Sequence, residues 1–96
     1  MNTLHIITSS PFRRKDAFLP LALADKDDAV LLMENGVVLC GPVPDCIVDE
    51  IAEAEKRGVK FFALREDLEA RGLTSKWQTV DYSGAVELIF KYKRTV

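Results

Sequence analysis

A layered α/β domain with a mostly parallel sheet is the fold class the sequence predicts, and three observations predict it. Apolar runs alternate with amphipathic stretches along the chain. Two of the runs, Ala29-Val30-Leu31-Leu32-Met33 and Val59-Lys60-Phe61-Phe62-Ala63-Leu64, place apolar side chains on successive residues. That pattern requires cover on both faces, as in a buried parallel strand. The chain has 96 residues, 48% of them apolar and 29% charged, which suits a single domain over residues 1–96 with one core.

The elements follow in order. Residues 3–8 read as the first strand, ended by Ser9-Ser10-Pro11. Residues 15–24 form a weak helix candidate, because Pro20 removes an amide donor and clashes with the preceding turn. Residues 29–33 are the second strand, and Asn35-Gly36 is expected as a turn. Residues 37–40 are short and stay unassigned. Pro44-Asp45 opens the clearest helix, with Ile47, Val48, Ile51 and Ala54 on one stripe and Gly58 closing it. The third strand, residues 59–64, runs into a short helix at Glu66. Glu66 and Asp67 lie in its first turn, where negative charge meets the positive end of the helix dipole. Arg71 sits in the last turn, and Gly72 is suited to the left-handed conformation that ends a helix. Residues 77–80 are the fourth strand and residues 83–92 the last helix.

That last helix is apolar over a broad arc. Ala85, Val86, Leu88, Ile89, Phe90 and Tyr92 cover roughly 200° at about 100° per residue, where a core-facing stripe needs little more than half of that. Either the helix is deeply embedded in its own domain, or a partner subunit covers the excess. These six residues are the candidate interface.

Several function classes are excluded by what is missing. There is no phosphate-binding glycine loop with its lysine, no dinucleotide fingerprint, no serine elbow and no paired histidines. No cofactor is expected. Thirteen basic and fifteen acidic residues leave a net charge of −2, too weak a field for direct, sequence-independent binding to nucleic acid. No apolar run approaches membrane-spanning length, and the first strand is too short for a signal peptide, so the expected compartment is cytoplasmic. Two cysteines and one histidine are too few ligands for a zinc site, and no metal is expected.

Four groups remain as candidates for chemistry. Ser9, Ser10 and Arg13 follow the first strand, where open α/β sheets place their ligand crevice, so an anion site is conceivable beside the plainer reading of a solvated charge run. His5 lies between Leu4 and Ile6 and has no nominated partner, which favours a satisfied buried histidine over a general base. Cys40 ends an apolar run and is expected to be at least partly buried. Cys46 falls in the first turn of the clear helix, on the side of Asp49, Glu50 and Glu53. There the helix N-terminus favours the thiolate and the carboxylates oppose it. Each cysteine is a candidate reactive thiol, against the commoner role of a small hydrophobe.

Four segments carry a family resemblance. Leu4-His5 followed by Ser10-Pro11-Phe12, the run Asp28 to Met33 ending in Glu34-Asn35-Gly36-Val37, the segment Ala63 to Leu73, and Asp81-Tyr82 together resemble the DsrH/TusB family of sulfur-relay subunits. The strongest is Phe-Ala-Leu-x-x-Asp-Leu-x-Ala-Arg-Gly-Leu. The resemblance implies a small flavodoxin-like three-layer sandwich of the DsrE/F/H type. It also implies assembly with DsrE/TusD-like and DsrF/TusC-like paralogues in a heterohexamer. In one branch of the family that assembly relays persulfide sulfur toward 2-thiolation of the tRNA wobble uridine, and in the other it serves sulfur oxidation. The essential relay cysteine is implied to belong to the DsrE/TusD-type partner. Two departures stand out. The region Leu19-Pro20-Leu21 lacks the cysteine that sulfur-oxidiser members carry, and Ala85 replaces a usual aromatic.

Three readings follow. The first is a non-catalytic subunit of a sulfur-relay complex. The second is a sulfurtransferase using Cys46 or Cys40. The third is a stand-alone homo-oligomer that binds a small anion near Ser9, Ser10 and Arg13.

Overall fold

Alternating strands and helices assemble into one parallel sheet with helices on both faces. The structure is a computed structural model, and it describes residues 2–8, 23–43 and 45–96. Within these, the order is β1 (Thr3–Ile7), β2 (Ala29–Leu32), a 3-10 helix (Glu34–Cys40), α1 (Asp45–Lys56), β3 (Lys60–Leu64), α2 (Arg65–Ala70), β4 (Gln78–Val80), α3 (Tyr82–Lys91) and β5 (Arg94–Thr95). The strands lie in the order β4-β3-β2-β1-β5, and every neighbouring pair is parallel. The chain therefore winds outward from β1 to β4, and α3 then carries it back across to the far side of β1. The α/β sandwich expected from the alternation forms, and its sheet is parallel throughout.

Burial on the two faces explains why the strand sequences are apolar on successive residues. Ile7, Val30, Leu32, Phe61 and Ala63 face one way, into a cluster with Ile47, Ile51 and Ala54 of α1, Leu68 of α2, and Val37 and Leu39 of the 3-10 helix. Leu4, Ala29, Leu31 and Leu64 face the other way, against Ala85 and Leu88 of α3. Leu4, Leu31, Leu32 and Leu64 are among the largest fully buried side chains. Each contributes roughly 1.5–3 kcal/mol from burial, most of it offset by the entropy of ordering the chain.

Apart from one-residue shifts at strand and helix ends, three differences from the sequence expectation have a traceable cause. Residues 34–40 form a 3-10 helix in place of a turn and an unassigned run. The Met33 amide donates to the Ile7 carbonyl at 3.0 Å, and the backbone of Gly36 lies so close to Ile7 that a Cβ there would stand 2.0 Å from the same oxygen. This segment is shaped by a residue 29 positions away, which local pattern cannot report. The last helix starts at Tyr82, one residue before the expected start, because the Asp81 carboxylate accepts the Gly84 amide at 2.7 Å as an N-cap. Finally, Arg94 and Thr95 add a fifth strand. Its register with β1 comes from main-chain pairing while both side chains stay exposed. Residues 15–22 of the weak helix candidate, Pro20 included, lie outside the described residues.

Candidate functional site

Helix α3 is two-sided. Ala85 and Leu88, both placed in the candidate interface by their apolar character, are buried against the chain's own sheet at 3% and 8% exposure. They are corrections to that expectation, since their surface is already spent on the internal core. Tyr92 is half-buried against the same cluster. The other three, Val86, Ile89 and Phe90, are exposed, and Tyr82 joins them. With spacings of four, three and one, these four side chains fall within an arc of about 100° on the outer side of the helix. Phe90 is 85% exposed and Tyr82 56%, so the stripe is bare rather than grazed by solvent.

Among the described residues, the face that α3 covers is incompletely closed. Ile6, Met33, Phe62 and Val80 pack against its cluster but remain only partly buried. A shallow space of about 410 Å³ opens beside the helix, lined in part by Lys60, Phe62, Gln78, Val80 and Lys91.

Cys40 stands at the end of the 3-10 helix, in the wall of a groove of about 380 Å³ on the opposite face, with Leu39, Val43, Val48, Ile51 and Trp77 around it. Burial pushes its thiol above the usual range, and the Ser75 hydroxyl and the Lys76 ammonium pull the other way without overcoming it. A sulfur carrier must ionise to accept sulfur, so this environment opposes that role. Trp77 stacks on Phe61 with ring centroids 4.8 Å apart, and Lys76 Nζ lies 5.0 Å from the indole centroid. The indole Nε1 is buried with no hydrogen-bond partner among the described residues. Cys46 is exposed near the start of α1 and does not line the groove.

His5 is buried, and its partner is a residue that sequence reasoning did not nominate. Its Nε2 lies 3.4 Å from Asp28 Oδ2, and the same carboxylate accepts the Thr3 amide at 2.9 Å and the Asp25 amide at 3.0 Å. Burial raises the Asp28 carboxyl, but the two amides and the histidine outweigh it, and the group rests below its usual 3.8. The arrangement ties the start of β1 to the loop before β2. The two residues are 23 positions apart, so only a pairing rule between strands would have brought them together.

The motif residues Asp67 and Arg71 bind another segment of the resemblance. Asp67 Oδ2 accepts the Glu34 amide at 2.6 Å, and Arg71 donates to Asn35 Oδ1 at 3.0 Å and to the Asp67 carbonyl at 3.1 Å. Asn35-Gly36 and the Asp67–Arg71 helix thus lock each other at the carboxyl edge of the sheet. Gly72 closes that helix with a φ of 64°, the left-handed conformation expected of it.

Ser9, Ser10 and Arg13 lie outside the described residues. Among those that are described, no group of three or more His, Cys, Asp or Glu side chains is placed to hold a metal ion. No helix among them is long and apolar enough to cross a membrane.

Comparison with known proteins agrees with the geometry. A family model described as DsrH like protein matches residues 9–95. Protein TusB of Escherichia coli (strain SMS-3-5 / SECEC) is 34% identical over 93 residues, covering 93% of both chains. Protein TusB of Photorhabdus laumondii is 32% identical over 93 residues, again with 93% of each chain covered. Among solved structures, the solution structure of protein Tm0979 from Thermotoga maritima superposes with a TM-score of 0.65 at 21% identity, over 93% of this chain and 92% of that one, and supports the fold alone. By the family model and its relatives, the chain belongs to the DsrH/TusB family.

Proposed function

We propose that this protein is a non-catalytic subunit of a cytoplasmic sulfur-relay complex, in which it assembles with DsrE/TusD-like and DsrF/TusC-like paralogues that pass persulfide sulfur toward 2-thiolation of the tRNA wobble uridine. The observation that carries the reading is the bare stripe Tyr82, Val86, Ile89 and Phe90 on a chain whose relatives are TusB proteins. A contiguous apolar strip on the outside of so small a domain is what an obligate partner would cover. The thiols support the same reading: Cys40 is half-buried and held protonated by that burial, and Cys46 shares α1 with Asp45, Asp49, Glu50 and Glu53.

The test replaces both cysteines. In cells lacking the native gene, the doubly substituted protein Cys40→Ser, Cys46→Ser should sustain tRNA thiolation, while deletion of the chain abolishes it. Protein level and complex formation are measured alongside, because a hydroxyl at position 40 is partly buried. If the cysteine-free protein accumulates and assembles yet thiolation is lost, the chain is a sulfur carrier itself. The exposed Cys46 is then the first thiol to restore. A chain that associates with neither paralogue, and whose loss leaves thiolation intact, favours the anion-binding homo-oligomer; one that associates with them while its loss leaves thiolation intact favours the sulfur-oxidation branch.

A further inference from the structure

We propose that the outer stripe of α3 and the basic run that follows it form one docking surface, shaped for a protein partner that presents an apolar patch with an acidic rim at one end. The proposal rests on the assembly reading above and adds the chemistry of the partner's surface.

The stripe ends at Phe90, the most exposed of the chain's large apolar side chains. Lys91, Lys93 and Arg94 come directly after it, all exposed, and Glu87, one helical turn before Lys91, is the nearest acidic residue on α3. Even fully extended, the chain from Phe90 to Arg94 spans no more than about 14 Å. At low ionic strength, where the screening length reaches about 30 Å, the charges and the apolar strip therefore act on the same approaching partner. The backbone that carries the last two is also held in place. The Lys93 and Arg94 amides both reach the Asn2 carbonyl, at 3.1 and 3.4 Å, and Arg94 pairs with Thr3 in the sheet.

Acidic side chains near this end account for part of the charge and not all of it. Asp27, Asp28 and Lys91 line a common pocket with Tyr92, where burial and the two acids raise the Tyr92 hydroxyl. Asp28 is buried and already accepts the Thr3 and Asp25 amides. Lys93 and Arg94 form no ion pair among the described residues and do not line that pocket. In a chain of net charge −2 they are a local excess of positive charge beside an apolar strip. A partner rim of Asp or Glu complements it, and a basic rim is repelled.

The two halves of such a surface have separable kinetic signatures. Rim charges steer the approach and govern association, while the buried apolar centre governs dissociation. The experiment measures binding of the purified chain to its DsrE-like and DsrF-like paralogues over a range of salt. The double variant Lys93→Glu, Arg94→Glu should lower the association rate about tenfold at low salt, with the deficit shrinking as salt rises. Phe90→Ala should raise the dissociation rate about tenfold and leave association within about twofold. All three positions are exposed, and circular dichroism checks that the variants stay folded. An unchanged association rate and salt slope in the charge-reversed protein, or a faster association, overturns the acidic-rim proposal while leaving assembly intact. Absence of any complex with the unmodified chain removes the assembly reading itself, so the two failures are distinguishable.

Discussion

The two faces of the sheet are built from similar strands and finished to different degrees. On one, α1, α2 and the 3-10 helix bury the larger cluster around Val30, Leu32, Phe61 and Ala63, with Cys40, Val43, Leu73 and Trp77 partly buried at its margin. On the other, α3 is the helix that packs on the cluster of described residues, and Ile6, Met33, Phe62 and Val80 stay partly open beside it. The first face holds the domain together. The second covers its centre with Ala85 and Leu88 and turns Val86, Ile89 and Phe90 outward. The same residue types on adjacent positions of one helix thus do opposite jobs, and burial, not hydrophobicity, separates them.

Substitutions on the closed face should break the fold. Leu32 is fully buried there, and Leu32→Ala should destabilise by about 2–5 kcal/mol in denaturant titration. A loss below about 1 kcal/mol would mean that the face is less tightly packed than its burial indicates. Gly36→Ala tests the contact between the 3-10 helix and β1. With a Cβ destined for 2.0 Å from the Ile7 carbonyl oxygen, backbone must move, at about 2 kcal/mol or more. Gly72→Val is milder, about 1–2 kcal/mol, because nothing lies within 4 Å of the new Cβ and only the left-handed backbone objects.

Acid probes the bottom edge shared by both faces. The folded state holds the Asp28 carboxyl below 3.8, so this group adds stability above that pH and loses the contribution as pH falls through its lower folded value. Stability measured from pH 6 down to pH 2 should therefore fall more steeply for the native chain than for Asp28→Asn. Parallel curves would show that the carboxylate is not preferentially ionised in the folded state. The smallest effect on folding belongs to the open face: Phe90→Ala should change the stability of the isolated chain by less than about 0.5 kcal/mol, although it weakens assembly.

Much of the fold was legible in local pattern, because successive apolar residues in β2 and β3 carry the two-faced burial directly. Gly72 was legible for an equally local reason, a helix end that needs positive φ. The 3-10 helix was not, since its shape depends on Ile7 and on the carboxylate of Asp67, both far away in sequence. Nor was β5, whose exposed Arg94 and Thr95 owe their place to main-chain pairing with β1 and show no apolar alternation. The breadth of the α3 arc announced a helix with surface to spare. Which part is spare depends on how the helix sits on the sheet, and small Ala85 lies in the contact while large Phe90 does not. The pairing of His5 with Asp28 was hidden for the same reason as the 3-10 helix: the chain names both residues and not their contact.

The central claim, that the outer stripe of α3 is completed by a partner subunit, is tested most directly by light scattering on the purified chain mixed with its DsrE-like and DsrF-like paralogues, with Val86→Lys as the paired variant. Val86 is half exposed at the middle of the stripe, so lysine there should leave the monomer's fold and thermal midpoint intact. The account predicts that the native chain enters a complex of defined mass and that the folded variant stays apart from it. A Val86→Lys protein that assembles to the same mass at the same concentrations would contradict the account and move the partner surface elsewhere on the molecule.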